Sequence, residues 1–301
     1  MDLSHAGPSL RSRVRPAGAR AVPVALAVLV VALQIAYPVV PQGSARDRLT
    51  VVIVVVFAAA SVVHALVWRG PRFTAALVAT TTLGGLAIEV VGVGTGLPFG
   101  EYRYAESLGT TVLGVPLVVA LAWTMMAYPA YTVSEVIGGG TMRRAAVGGW
   151  ALAAWDLFLD PQMVQAGHWE WRTTGPELAG IPISNYAAWF LVATAMMLAL
   201  RALTGPDDAP ADDRVPLALY CWTFASSVLA HAVFFGLPAA ALTGGIGMGV
   251  VVAALARSRA RNGAVGPDRR GPAGADHDEQ AGADHDGRAG VPGPGLPDRD
   301  R

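Results

Sequence analysis

Four ionisable side chains lie inside otherwise apolar stretches of the sequence: Glu89, Asp156, Asp160 and His231. Inside a membrane span, such a group costs roughly 2.5–3.5 kcal/mol, which favours a functional role. Asp156 and Asp160 are four residues apart and therefore share one helix face. Burial and mutual repulsion favour the protonated form of at least one carboxyl near neutral pH. These residues predict a proton donor; the alternative is that the aspartates cap backbone at the membrane interface.

The acids belong to a pattern that occurs twice. When Gly100 is aligned with Gly167, Glu89 and Asp156 each precede the glycine by eleven residues. Both copies then place aromatic residues two and four positions after the glycine, continue through Gly-x-Pro, and end at a tryptophan. We predict two parallel repeat copies, 85–123 and 152–189, related by a pseudo-two-fold axis along the membrane normal. Chance similarity in a chain rich in Ala, Gly and Val is the alternative.

Aromatic and polar residues surround the acids in both copies. The candidate substrate-binding residues are Tyr102, Tyr104, Trp123, Trp155, His168, Trp169, Trp171, Asn185 and Trp189. Aromatic faces attract a positive charge, so we expect them to stabilise a cation that develops in a substrate. The alternative is that these tyrosines and tryptophans only anchor the chain at the membrane interface.

The elements that must position these residues are apolar helices. The 301 residues are 53% hydrophobic and only 15% charged, with zero formal net charge. This composition predicts an all-α integral membrane protein and gives no basic signal for nucleic acid. A lone cysteine, Cys221, excludes an intrachain disulfide. The apolar runs are 21–40, 50–68, 73–93, 111–137, 145–159, 185–203, 215–235 and 238–256. They predict about eight transmembrane helices, with seven as the alternative count, and aromatic, glycine-rich hairpins between some of them.

The positions of the arginines predict how the helices are oriented in the membrane. Together with composition they divide the chain into three segments. The segments assigned to the inside hold most arginines, which predicts cytoplasmic termini in a multi-pass protein of the cell membrane. We expect an arginine-rich N-terminus over 1–20, a catalytic membrane domain over 21–257 and a disordered tail over 258–301. His277 and His285 in that tail are expected to be solvated. Glu89, Asp156 and His231 would lie near the extracytoplasmic end and His64 near the other. Pro161 is expected to disfavour helix at Asp160.

Several chemistries lack their motifs in this sequence. It has no Walker motif, no dinucleotide-binding glycine pattern, no HExxH and no CxxC. The pair Asp156 and Asp160 is similar to the aspartate motifs of membrane prenyltransferases, but these need more acids and basic partners. Redox and diphosphate chemistry are therefore disfavoured. Acid-initiated chemistry on an apolar substrate fits best.

Several ordered motifs resemble one known family. They are GLPFGEYRY, LGVPLVVALAW with MMAYP, WDLFLDPQMV, WEW and GIPISNYAAW. Together they are similar to the CruF-type carotenoid biosynthesis membrane proteins, over roughly 85–189. The resemblance implies a hydro-lyase that adds water to the terminal double bond of an acyclic carotenoid end, giving a tertiary alcohol. The substrate would be a lycopene-like, monocyclic or C50 carotenoid in the bilayer. The implied partners are this carotenoid, water and other carotenoid enzymes, with no cofactor, metal or nucleic acid.

The resemblance and the acids together give a reaction scheme. Asp156 or Glu89 would protonate the alkene, and aromatic faces would hold the tertiary cation. A second carboxylate, with Asp160 or His231 as helper, would take a proton from the attacking water. Two alternatives stay open: a carotenoid cyclase or isomerase using the same cation, and a proton-coupled transporter. The acids cluster at one side and the inner half of the spans is nearly all apolar, which disfavours the transporter.

Overall fold

The structure, a computed structural model, describes residues 17–172, 175–205 and 211–264. Its helices are α1 Ala17–Ala36, α2 Ser44–Trp68, α3 Pro71–Val78, α4 Gly84–Thr95, α5 Leu117–Ile137, α6 Thr141–Gln165, α7 Ile183–Thr204, α8 Arg214–Leu229 and α9 Pro238–Ala264. A π-helical turn, Ala79–Leu83, joins α3 to α4, and another, Ala230–Phe234, extends α8. Residues up to Arg261 form one compact unit, and 262–301 form a second unit, of which only the end of α9 is described.

Long apolar helices dominate the described residues. Seven segments are long and apolar enough to cross a membrane: Arg20–Val39, Ser44–Trp68, Pro71–Thr95, Leu117–Ile137, Ile183–Thr204, Arg214–Phe234 and Pro238–Arg261. Helix α6 is as long, with 25 residues, but it is less apolar because it carries two arginines and the two site aspartates. The predicted class, an all-α membrane protein with seven or eight spans, is confirmed.

Two helices extend well beyond the predicted ends of their spans. The fifth span, predicted as 145–159, runs from Thr141 to Gln165, and helix continues through Asp160 and past Pro161. Proline removes one helical hydrogen bond, but Pro161 and Met163 are buried, and this packing offsets the loss. The last helix continues to Ala264, so the predicted tail from 258 begins as helix, with Ser258 buried. The N-terminal segment 1–16 and the tail beyond Ala264, with His277 and His285, lie outside the described residues.

Short strands replace the predicted start of another helix. The span predicted from Thr111 begins as helix only at Leu117, because β2 (Thr111–Val112) and β3 (Val115–Pro116) form a hairpin. Its turn contains Leu113 at φ 50° and Gly114 at φ 84°, and these left-handed values cannot continue a right-handed helix. Strands β5 (Glu177–Leu178) and β6 (Ile181–Pro182) repeat this hairpin, with Ala179 at φ 54° in the turn.

One antiparallel pair joins the two copies of the sequence pattern. Strand β1 (Glu101–Tyr104) pairs with β4 (Trp169–Arg172), so that Tyr102 lies opposite Trp171 and Tyr104 opposite Trp169. Each strand carries its aromatic residues on alternate positions, which places all four on one face. The two hairpins and these strands fall at positions that the predicted repeat equates. The repeat itself stays a prediction.

Close helix contacts depend on glycine, and one gives a stability prediction. A Cβ atom on Gly149 of α6 would lie 2.8 Å from the backbone nitrogen of Thr194 in α7, where backbone cannot yield cheaply. We expect Gly149→Ala to lower the free energy of unfolding by about 1–3 kcal/mol. The control is Gly249→Ala in α9, whose Cβ would make only ordinary contact with Phe224 at 3.7 Å. Thermal unfolding in detergent should separate them, and equal midpoints would contradict the close α6–α7 contact.

Candidate active site

A cavity of about 170 Å³ collects most of the predicted site residues. Residues of α1, α2, α4, α5, α6, α7, α8, β1 and β4 line it. Of the predicted residues, it brings together Glu89, Tyr102, Tyr104, Trp123, Trp155, Asp160, Trp169, Trp171, Asn185, Trp189 and His231. Asp156 and His168 are not among its lining residues. No arginine or lysine lines the cavity within the described ranges, so no basic side chain neutralises its carboxylates from within.

Glu89 is held by hydrogen-bond donors on both carboxylate oxygens. The Tyr102 hydroxyl donates to Oε2 at 2.5 Å, the Tyr104 hydroxyl donates to the same oxygen at 2.8 Å, and the Trp123 indole donates to Oε1 at 3.1 Å. Burial and then the facing Glu89 raise the pKa of both tyrosines, so each phenol keeps its proton. Three donors stabilise the anionic form of a carboxylate. These contacts favour Glu89 as the carboxylate that faces a developing cation over Glu89 as the proton donor, and its role stays a prediction.

Asp156 and Asp160 form a pair of adjacent carboxyl groups. Their side chains are in contact, and one shared proton would remove the repulsion between two carboxylates, which only accept hydrogen bonds. The Asn185 amide donates to Asp156 Oδ2 at 3.1 Å and to Asp160 Oδ2 at 2.5 Å, and the Trp169 side chain also hydrogen-bonds Asp160. Asp160 lines the cavity while Asp156 is fully buried behind it. The cavity lining therefore places Asp160 nearer to a substrate than Asp156, and which of the two acids donates a proton stays a prediction.

Aromatic rings form the walls between these two acidic groups. Trp123 stacks on Trp189 with ring centroids 4.0 Å apart and planes 8° from parallel. Tyr102 lies over Trp171 at 4.8 Å across the β1–β4 pair. At the cavity Trp123, Trp189 and Tyr102 are buried and Trp171 is half-buried, and such π faces attract a cation.

His231 lines the cavity but its ring nitrogens are occupied. Nδ1 lies 2.7 Å from the Ser227 carbonyl oxygen and Nε2 lies 3.0 Å from the Phe158 carbonyl oxygen. Both nitrogens face backbone carbonyl oxygens, and a neutral imidazole can donate to only one of them. His231 thus ties the π-helical turn after α8 to α6, and its predicted role as catalytic helper stays a prediction.

His168 is directed to the outside of the cavity. Its Nδ1 lies 2.8 Å from the Ser107 hydroxyl, and its Nε2 lies 3.8 Å from Asp47. Burial lowers the pKa of this imidazole, partly offset by Asp47. The structure thus assigns His168 to the packing of the hairpin region, and not to the substrate site as predicted.

Several cavity residues escaped the sequence analysis. They are Gln34, Tyr37, Thr50, Phe99, Gln162, Thr223, Ser226 and Ser227. The hydroxyl residues of α8 had a detectable signal, since Thr223, Ser226 and Ser227 recur at helical spacing within an apolar run. Tyr37 and Thr50 had none, because only the packing of α1 against α2 brings them together, with a 3.2 Å hydrogen bond between their hydroxyls.

A second polar group lies at the opposite ends of the helices. Its members are the buried His64 and Tyr128 and the half-buried Arg69, Glu135, Arg144, Arg201 and Asp213. Tyr128 lies 2.8 Å from His64 Nδ1, and Arg69 pairs with Asp213 at 2.7 Å. Glu135 accepts from both Arg144 and Arg201. Most of these residues lie at or near helix ends, and the prediction that the inner half of the spans is nearly all apolar stays a prediction. Internal pairing of these groups indicates a structural role.

A close approach between Gly92 and Tyr102 supports the Glu89 geometry and gives a prediction. A Cβ atom on Gly92 would lie 2.6 Å from the Tyr102 hydroxyl and 2.9 Å from the Phe99 ring. We expect Gly92→Ala to displace this hydroxyl and lower turnover about 10-fold or more, as the loss of one charge-assisted hydrogen bond would. In the matched control, Gly94→Ala in the same helix, the new Cβ meets nothing within 4 Å.

The double variant Gly92→Ala/Tyr102→Phe identifies the cause. If the glycine acts through the tyrosine hydroxyl, turnover in the double variant should fall no further than in Tyr102→Phe alone. Strictly additive losses would contradict this link.

In the part of the chain that the structure describes, no group of three or more His, Cys, Asp or Glu side chains is placed to hold a metal ion. The arrangement that is present contains a carboxyl group held by three donors, a pair of adjacent carboxyl groups, and aromatic faces beside them. Such a set can protonate an apolar alkene and shelter the resulting cation.

Comparisons with known proteins identify the family of this chain. The model of the carotenoid biosynthesis protein family matches residues 49–252. Bisanhydrobacterioruberin hydratase of Haloarcula japonica is 35% identical over 128 residues, which are 41% of this chain and 43% of that relative. The match thus spans less than half the length of the relative. No solved structure matches the chain. Since the family model covers more than half of the chain, the resemblance stated from the motifs is confirmed: the chain belongs to the carotenoid biosynthesis protein family.

Proposed function

We propose that this protein hydrates the terminal double bond of an acyclic carotenoid end group. The observation that carries the proposal is the cavity itself, which places the carboxyl groups of Asp160 and Glu89 among aromatic rings, with no arginine or lysine of the described residues in its lining. Asp160 would supply the proton and Glu89 a negative charge. Anionic substrates are poorly suited to such a site, while a hydrocarbon that becomes a cation is well suited. The name of the relative, a bisanhydrobacterioruberin hydratase, supports hydration as the reaction.

The first step is proton transfer from Asp160 to the less substituted carbon of the alkene. The π bond supplies the electron pair of the new C–H bond, which leaves a tertiary cation on the neighbouring carbon. Asn185 and Asp156 hold Asp160 in place through its Oδ2 and the shared hydrogen bond. Asp156 is thus a positioning residue, because it does not line the cavity.

The cation is then stabilised and captured. The Trp123–Trp189 stack and the carboxylate of Glu89 provide negative potential that is already in place when the charge develops. A water oxygen forms the new C–O bond, and one of its protons returns to the Asp156–Asp160 pair. The pair therefore ends with the single proton it began with, and the product is a tertiary alcohol.

The membrane setting completes the proposal. We place residues 21–264 as the catalytic membrane domain in the cell membrane, with both termini cytoplasmic, as the arginine distribution favours. The cavity then lies toward the extracytoplasmic side, where the polyene occupies the bilayer and its end enters between the helices. The substrate is a lycopene-like, monocyclic or C50 carotenoid.

Co-expression with a pathway that makes an acyclic carotenoid tests the function. Chromatography and mass spectrometry of the pigments should show a product heavier by one water, which is absent from cells without the protein. A product of unchanged mass with a shifted spectrum would instead identify a cyclase or isomerase, and would refute hydration.

A further inference from the structure

One face of α8 presents hydroxyl groups to the cavity. Thr223, Ser226 and Ser227 all line it, and their spacing of three and four residues places them on one side of the helix. We call these three residues the hydroxyl face. His231 continues this face toward Asp160, because its Nε2 lies 3.0 Å from the carbonyl oxygen of Phe158, two residues before that aspartate.

The hydroxyl face lacks the partners that its burial requires. Thr223 is 3% exposed, and its Oγ1 has no hydrogen-bond partner among the described residues. Ser226 reaches only the Thr223 carbonyl oxygen, at 3.4 Å, which is long for a hydroxyl hydrogen bond. Leaving a buried hydroxyl unpaired costs about 1–3 kcal/mol. This wall therefore suits a small polar molecule that supplies the missing partner.

The surroundings indicate that this molecule is neutral. On α1, Gln34 lines the cavity and accepts a hydrogen bond from the Trp222 indole at 2.8 Å. Tyr37 and Thr50 complete this side with uncharged hydroxyls. Neither an anion nor a cation finds a fixed counter-charge on this wall.

The cavity is large enough for water beside a hydrocarbon. Its volume of about 170 Å³ is several times the roughly 30 Å³ that one water occupies in the liquid. Hydroxyl side chains can both donate to and accept from a water molecule, which fixes the direction of its lone pairs.

We propose that the hydroxyl face of α8 binds and orients the water molecule that captures the substrate cation. This inference rests on the proposed hydration and adds the residues that deliver its second reactant. In the capture step, a lone pair of the bound water forms the C–O bond, and the proton it releases goes to the Asp156–Asp160 pair. Without an oriented water, the cation returns the added proton and reverts to the alkene.

Deuterium exchange measures how often the cation reverts to the alkene and how often water captures it. In D₂O, each reversal can leave deuterium in the recovered carotenoid, whereas capture gives the alcohol. We expect Thr223→Val to raise the ratio of exchanged substrate to hydrated product about tenfold, the effect of one lost hydrogen bond in the capture step. Thr223→Ser keeps the hydroxyl and should return the ratio toward that of the unmodified protein.

A buried threonine outside the cavity provides the matched control. Thr132 in α5 is fully buried, and its hydroxyl donates to the Pro129 carbonyl oxygen, so Thr132→Val should leave the ratio unchanged. An unchanged ratio in Thr223→Val, whether or not total turnover falls, would overturn the role of the hydroxyl face. If the unmodified protein yields neither alcohol nor exchange from acyclic carotenoids, the proposed hydration itself fails.

Discussion

Replacing Asp160 by asparagine should lower the rate of carotenoid hydration about 10²–10⁴-fold, the usual contribution of a general acid. Asparagine preserves the size of the side chain and can still hydrogen-bond Asn185, but it has no proton to give to an alkene. Asp156→Asn should cost less, because Asp156 lies behind Asp160 and acts through it. Initial rates on the same acyclic carotenoid, at matched protein levels, measure both losses.

The control for Asp160→Asn is the same substitution at the outer end of α2. Asp47→Asn removes a carboxylate that lies 3.8 Å from His168 and does not line the cavity, so turnover should stay within a few-fold of the unmodified protein. A rate for Asp160→Asn similar to that control, or a larger loss in Asp156→Asn, would contradict the assignment of Asp160 as donor. Full activity in both Glu89→Gln and Asp156→Asn would rule out acid–base catalysis by these carboxyl groups.

Glu89→Gln should lower turnover about 10²–10³-fold, by analogy with the loss of one electrostatic stabiliser. Glutamine removes the negative charge facing the cation. Glutamine also puts an amide nitrogen in the place of one carboxylate oxygen. Because both Glu89 oxygens accept hydrogen bonds from Tyr102, Tyr104 or Trp123, that nitrogen, itself a donor, faces a hydrogen-bond donor. At least one buried donor then loses its acceptor, so we also expect unfolding at a lower temperature, by an amount equivalent to about 1–3 kcal/mol.

The variant Glu135→Gln, in the second polar group, separates the effect of lost stability from the effect of the charge lost in Glu89→Gln. Glu135 is half-buried and accepts from Arg144 and Arg201, so Glu135→Gln should also lower the unfolding temperature in detergent. It lies away from the cavity and should retain turnover in protein that is still folded. If Glu89→Gln and Glu135→Gln have the same stability and lose the same fraction of turnover, Glu89 contributes to the fold and has no catalytic role.

The sequence predicted those parts of the molecule that depend on local pattern. Apolar runs located the helices because each span must bury its own backbone hydrogen bonds. The spacing of Asp156 and Asp160 correctly predicted one helix face. The aromatic positions after Gly100 and Gly167 correctly marked residues that line the cavity.

Other features depend on contacts distant in the sequence and were missed. Nothing local indicates that three donors meet at Glu89, because Trp123 lies 34 residues beyond it. Periodicity also cannot show that Asp160 faces the cavity while Asp156 lies behind it, since both share a helix side. The continuation of α6 past Pro161 depends on burial by neighbouring helices, which outweighs the local preference of proline.

The most direct test of the central claim follows the atoms of water. The unmodified protein should be supplied with an acyclic carotenoid in D₂O, and separately in water carrying heavy oxygen, and the product analysed by mass spectrometry. We expect one new oxygen from water at the tertiary carbon of the product and one deuterium on the adjacent carbon. Both should be lost in Asp160→Asn. A product that contains no oxygen from water, or whose mass equals that of the substrate, would contradict hydration at this site.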